Sequence, residues 1–233
     1  MSASVVVGLL DSGVDPALIP ADWPRRSFVL DDDGAVMSRN DGAPDLLGHG
    51  TELARIILNG SSDLGLAVAR IFTGRFVCTP AAAGAGLDWL IGRGVRIVNM
   101  SFGLSQDRAV LREACARAIA AGVLLIAAAP ARGQAVFPAS YGGVVRVSGD
   151  ARCSAGEVSV LGGRQADFGA CVGAQRDDGG HERTGGASFA TAHFTRLAAA
   201  FLSTHPEADN NRILEWMRGM SSYHGPERRS AGG

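Results

Sequence analysis

No stretch of this chain is apolar for long enough to cross a membrane; the longest run, residues 123–129 of 233, suits one buried strand. Charge of either sign is not in excess. A net charge of −1 gives no reason to expect nucleic acid or an anionic membrane as partner. Cysteine is scarce: the four present (Cys78, Cys115, Cys153 and Cys171) show neither CxxC nor Cys/His ligand spacing. That excludes a disulfide framework and a zinc site, leaving idle thiols in a reducing cytosol. Met1-Ser2-Ala3-Ser4-Val5 holds no basic region followed by an apolar one, so no signal peptide is expected and the cytoplasm is the default compartment. No metal or other cofactor is expected either. Asp31-Asp32-Asp33-Gly34 lacks the alternating spacing of a calcium loop and reads as a solvated hairpin turn. There is no internal repeat and no second domain boundary. The reading is one domain over residues 1–220 and a disordered tail over residues 221–233, which hold too few apolar side chains to pack.

What is present is an alternation of strands and helices. Residues 4–10 form a continuous apolar run ending in Asp11-Ser12-Gly13, the pattern of a strand buried on both faces. Asp15-Pro16 reads as the start of a short helix, and residues 22–48 read as loop. Helical patterns over residues 52–58, 81–91 and 108–121 alternate with strand patterns over 66–72, 95–100, 123–129 and 144–148. Short strands and loops follow Asp150, then helices over residues 188–202 and 210–217. This order predicts an α/β fold, a mostly parallel central sheet with helices on both faces. Sites in such sheets form beyond the carboxyl ends of the strands, where Asp11, Ser101 and Pro130 fall.

Three polar residues stand out in this frame. Asp11 ends the first strand, His49 opens a helix between two glycines, and Ser188 follows Gly185-Gly186-Ala187 at the mouth of another helix. Each has a plain alternative: His49 as a surface or capping histidine, Ser188 as an N-cap. Together they have the makings of a nucleophile, its base, and a carboxylate that fixes the base's tautomer.

Asp11-Ser12-Gly13-Val14-Asp15, Gly48-His49-Gly50-Thr51 and Gly186-Ala187-Ser188-Phe189-Ala190-Thr191-Ala192 resemble the three active-site motifs of the subtilisin-like serine proteases, in that family's Asp, His, Ser order. Val98-Asn99-Met100-Ser101-Phe102-Gly103 resembles the family's substrate-binding strand and loop. Phe137-Pro138-Ala139-Ser140-Tyr141 resembles the segment after its oxyanion loop. The resemblance spans residues 4–217 and implies a three-layer αβα subtilisin-like fold and a serine endopeptidase. Ser188 would attack the scissile carbonyl, His49 would carry the proton, and Asp11 would orient His49. Ser101, Phe102 and Gly103 would pair with an extended peptide or protein substrate. The sequence carries nothing on oligomeric state.

The pattern breaks where the family places a Gly-Asn pair whose Asn side chain donates to the oxyanion. Here Pro130 and Ala131 stand there, leaving the backbone N–H of Ser188 and, as substitutes, Arg132 or Gln134. Glu52 replaces a second histidine, Ala192 replaces a proline, and residues 60–66 leave little room for the calcium loop of secreted relatives. With no pro-segment ahead of the first strand, the resemblance suggests an intracellular, specialised peptide-processing enzyme. Its rival is a pseudoprotease that binds extended peptides without cleaving them. An α/β-hydrolase is disfavoured, since Gly186-Ala187-Ser188-Phe189-Ala190 breaks G-x-S-x-G and that fold orders its triad differently.

Overall fold

The computed structural model describes residues 5–72, 74–175, 181–182 and 186–226. Its centre is β1 (Val5–Asp11), whose unbroken apolar run lets it lie between two parallel neighbours. On one side is β4 (Leu64–Arg70), buried at all seven positions; on the other is β5 (Ile97–Met100). The chain thus steps from β1 to one side and then crosses to the other. That reversal opens a crevice beyond the carboxyl ends of β1 and β5, where an open α/β sheet binds its ligands. The register brings Asp11 level with Arg70, and Leu10 level with Met100.

The sheet continues past β5 through β6 (Leu124–Ala128), β7 (Val145–Gly149), β9 (Phe168–Ala170) and β8 (Val158–Val160). Beyond β4 come β2 (Arg25–Leu30) and β3 (Val36–Arg39). Within the ten-stranded sheet only β2–β3 and β8–β9 pair antiparallel, so it is mostly parallel as expected. Helices α1 (His49–Leu58), α4 (Gly186–Thr204) and α5 (Asn210–Gly219) cover one face around Leu9, Leu53, Phe168 and Phe194. Helices α2 (Pro80–Ile91) and α3 (Ala109–Ala120) cover the other around Leu10, Leu87, Met100 and Leu111. The short pair β10 (Ala174–Gln175) and β11 (His181–Glu182) stands apart from the sheet.

Three expectations are corrected. Residues 22–48 are not all loop: Arg25 to Arg39 make the β2–β3 hairpin, and the three aspartates form its turn, where Asp31 Oδ1 accepts from the amides of Asp33 and Ala35. The β2 pattern is hard to read because only part of it is buried, at the sheet's edge. The segment after Asp15 is a turn rather than a helix; Asp15 Oδ1 binds the amide of Ala17, and Pro20 and Pro24 bar a helix beyond it. The fold also runs past Met220. β12 (Tyr223–His224) pairs parallel with β8, and Arg152 donates to Gly225 O at 2.8 Å while covering the Tyr223 ring. Packing there comes from a cation and the backbone, which an apolar count overlooks. The rest of the expected tail, residues 227–233, lies outside the described residues.

Candidate active site

The site begins with a close approach of two chain segments. Gly13, at φ +105°, follows the end of β1, and Gly50 lies in the first turn of α1. A Cβ on Gly50 would fall 2.2 Å from the Gly13 carbonyl oxygen, so only glycine lets the helix start so near the strand end. Ser12 Oγ fastens the approach by accepting from Gly50 N at 2.8 Å.

That contact sets His49 over Asp11. His49 Nδ1 lies 2.7 Å from Asp11 Oδ1, which also accepts from Ser12 N at 2.7 Å. The Asp11 side chain is fully buried, while the imidazole keeps 19% of its surface exposed. Burial pulls the His49 pKa down. The hydrogen bond and charge of Asp11, with the charge of Asp45, outweigh it and hold the pKa above the ordinary 6.5. The ring is bounded edge-on by Phe76 at 5.4 Å and by Phe189 at 6.4 Å.

Sequence reasoning missed the residue that seats His49. The N-cap of α1, Gly48, has no side chain to give, and Asp45 takes its place. Its Oδ2 accepts from Thr51 N and Thr51 Oγ1, and its Oδ1 from the amides of Leu47 and Gly48, at 2.6–3.0 Å. Burial raises the Asp45 pKa, but these donors overcome it and hold the carboxyl below its usual range. Behind Asp45, the buried Arg70 at the end of β4 holds the loop through Asp41 Oδ2 at 2.7 Å and Pro44 O at 3.0 Å. An acid three residues before the glycine that precedes a helix is a readable cap signal. The reach of Arg70 is long-range and left no local trace.

Ser188 is the third residue of α4, inside its first turn, so it is not the N-cap. Its hydroxyl donates to Ser101 O at 3.5 Å, and Ser101 Oγ donates to Ser188 O at 3.2 Å. Behind Ser101 runs a buried chain: Asn99 Nδ2 donates to Ser101 Oγ, and Thr195 Oγ1 to Asn99 Oδ1, each at 3.0 Å. Asn99 and Thr195 thus tie the end of β5 to the body of α4. His193, buried one turn past Ser188, meets Gly173 O at 2.9 Å through Nε2.

The substrate-pairing candidates Ser101, Phe102 and Gly103 leave β5 with the first two buried and Gly103 exposed. The structure therefore brings Asp11, His49, Ser188 and Ser101 to one crevice. It gives Arg132 and Gln134 no such placement: residues 131–134 form an exposed loop after β6, held at Gly133 O by Gln165 Nε2 at 2.7 Å. Among the described residues, no group of three or more His, Cys, Asp or Glu side chains could hold a metal ion, and no helix is long and apolar enough to cross a membrane.

Known proteins resemble this chain. The thermostable alkaline protease of Halalkalibacterium halodurans is 29% identical over 193 residues, 76% of this chain and 53% of the relative. Subtilisin of Bacillus pumilus is 25% identical over 241 residues, 96% of this chain and 86% of the relative. The chain spans about half the length of two of the curated relatives it matches, 53% of the Halalkalibacterium halodurans protease and 51% of alkaline elastase YaB of Bacillus sp. (strain YaB). Among solved structures, sphericase superposes with a TM-score of 0.70 at 19% identity, covering 94% of this chain and 83% of its own. A protease from Pseudoalteromonas arctica gives 0.73 at 18% identity, covering 96% and 88%. At such identities the structures speak for the fold, a three-layer α/β subtilisin fold. The family model described as the subtilase family matches residues 2–228, and with the strand order and the crevice above it settles the matter: this chain belongs to the subtilase family.

Proposed function

We propose that the chain is a serine endopeptidase of the subtilisin type, with Asp11, His49 and Ser188 as its triad. The observation that carries this reading is the 2.7 Å contact between His49 Nδ1 and the buried Asp11, in the crevice that Ser188 opens. With Nδ1 engaged by the carboxylate, Nε2 is the nitrogen left to act as base. It takes the proton of Ser188 Oγ as Oγ bonds to the scissile carbonyl carbon. The imidazolium then protonates the leaving amine, the C–N bond breaks, and an ester to Ser188 remains. Water, giving its proton to the same nitrogen, attacks the ester; the acid departs and Ser188 Oγ is reprotonated by the imidazolium. The peptide would lie extended along the backbone of residues 101–103.

The oxyanion hole would be atypical. The backbone N–H of Ser188 remains a donor, while Ala131 offers no side-chain donor and the exposed Arg132 and Gln134 are the nearest substitutes in sequence. Losing one such donor costs about 10²–10³ in rate, a figure that itself comes from subtilisin. A slow enzyme suits a cytoplasmic role in maturing one peptide precursor better than bulk degradation. The four free thiols fit that compartment, with burial, the largest cause, pushing Cys78, Cys115 and Cys153 up to about 12.

Intact-mass analysis after incubation with a fluorophosphonate, on the wild type and Ser188→Ala, tests the reading. An adduct on the wild type alone supports it; absence of both adduct and peptide hydrolysis defeats it. The exposed loop at Ala131 favours one rival, a pseudoprotease. Saturable binding of an extended peptide by a protein that forms no adduct would establish that rival.

A further inference from the structure

Two rungs of hydrogen bonds join α4 to β5, and Ser188 stands on the upper one. Ser188 and Thr195 are seven positions apart on α4, two turns along one helix face, and both reach the same strand and its end. At the upper rung Ser101 Oγ donates to Ser188 O at 3.2 Å, and Ser188 Oγ donates to Ser101 O at 3.5 Å. At the lower rung Thr195 Oγ1 donates to Asn99 Oδ1 at 3.0 Å. Asn99 Nδ2 donates to Ser101 Oγ at 3.0 Å and makes the two rungs one relay. Thr195 and Asn99 are fully buried and Ser101 is buried too, so bulk water does not stand in for a lost member.

Direction matters in such a relay because a hydroxyl has one proton. Thr195 gives its proton to Asn99, which fixes the amide with its oxygen toward α4 and its NH2 toward Ser101. Ser101 Oγ, already accepting from that NH2, has its single proton left for Ser188 O. Were the amide turned over, its oxygen would take the Ser101 proton, and the Ser188 carbonyl would be let go. Thr195 therefore decides which way the relay points, two helical turns from the serine it serves.

The hold on Ser188 bears on the oxyanion. Ser188 lies in the first turn of α4, where backbone N–H groups have no intrahelical partner, so its N–H can meet a developing negative charge. First turns are also where helices fray. The bond from Ser101 Oγ pins this turn to the end of β5. With alanine at position 131 offering no side-chain donor, the aim of the remaining N–H counts for more.

We propose that Thr195, acting through Asn99 and Ser101, is a positioning residue that holds the Ser188 main chain in place for attack. The proposal rests on the protease reading above and identifies what aims its nucleophile.

The test reads labelling of Ser188 in the full chain by a simple alkyl fluorophosphonate, followed by intact mass. The concentration dependence separates the limiting rate from the half-saturating concentration. The final labelled fraction counts competent molecules, so unfolded chain does not pass for slow chain. Thr195→Val keeps the shape of the side chain and removes the donor. Its limiting rate should fall at least about tenfold, with half-saturation within about threefold of the wild type. The acid limb of its pH profile should stay where it is, because Asp11 and His49 are untouched. Thr195→Ser restores the hydroxyl and should label at a limiting rate within about threefold of the wild type. Thr195→Ala takes the place of the valine if that variant does not fold. A limiting rate for Thr195→Val equal to the wild type overturns the proposal. So does a Thr195→Ser variant as slow as the valine, or a loss that falls on half-saturation. Those results leave the protease reading standing. A wild type that takes no label defeats the protease reading, and the proposal falls with it.

Discussion

Residues 45–51 and residues 130–134 both lie beyond the carboxyl ends of sheet strands, yet they are built very differently. The first segment is fastened at nearly every step: Asp45 accepts four hydrogen bonds, Ser12 holds Gly50, and Asp11 holds His49. The second is exposed from Ala131 to Gln134 and is held at Gly133 O by Gln165. The half proposed to move a proton is preorganised. The half that would receive negative charge shows, between residues 130 and 134, an exposed loop in place of a fixed side-chain donor. In the proposed enzyme, rate would be limited by stabilisation of the oxyanion, with the base ready before substrate arrives.

The sharpest way to break this contrast is at Ser188, the proposed nucleophile that both halves would serve. Ser188→Ala should lower kcat by about 10⁶-fold, measured on a peptide the wild type cleaves. Asp11→Asn should cost about 10⁴-fold, because an amide at that point stabilises neither the required tautomer nor the imidazolium. Its pH profile carries the sign. The wild-type His49 pKa is held above 6.5, so activity should fall as pH drops through that raised value. Without the carboxylate, the dominant burial effect is left less opposed, and the acid limb of kcat/KM should move to lower pH. The stability that the raised pKa lends is fully present below the unfolded histidine's value and fades as pH rises through the folded one.

Ala131→Asn probes the weak half directly: a gain in kcat of about 10²-fold is expected, with KM little changed. No gain would mean that the loop already presents another donor to the transition state. The mildest change is Asp45→Ala, which removes the substitute cap of α1. A loss of about 1–2 kcal/mol in urea unfolding is expected, with the fluorophosphonate labelling rate falling less than in Asp11→Asn.

Legibility in the sequence followed the same divide between local and distant causes. β1, β4, β5 and β6 were readable because a strand buried on both faces writes itself as an apolar run, and α3 and α5 because their ends carry stop and cap residues. Asp11, His49 and Ser188 could be singled out from strand-end and helix-start positions joined by family motifs. β2 and β12 escaped because edge strands bury little, and their partners lie far along the chain. Arg70, Asn99 and Thr195 escaped for a related reason. Their work is done across the fold, Thr195 reaching Asn99 over 96 positions.

Helix α4 adds a temporal consequence. It rests on β1, β5, β6, β7 and β9, strands drawn from residues 5–170, and follows all of them along the chain. Asp11 and His49 emerge early, with no nucleophile to serve. The hydroxyl of Ser188 meets them only when the sheet that cradles its helix has already been made. For the proposed enzyme, a half-synthesised chain would therefore lack a seated nucleophile, and the order of translation would act as a safety catch.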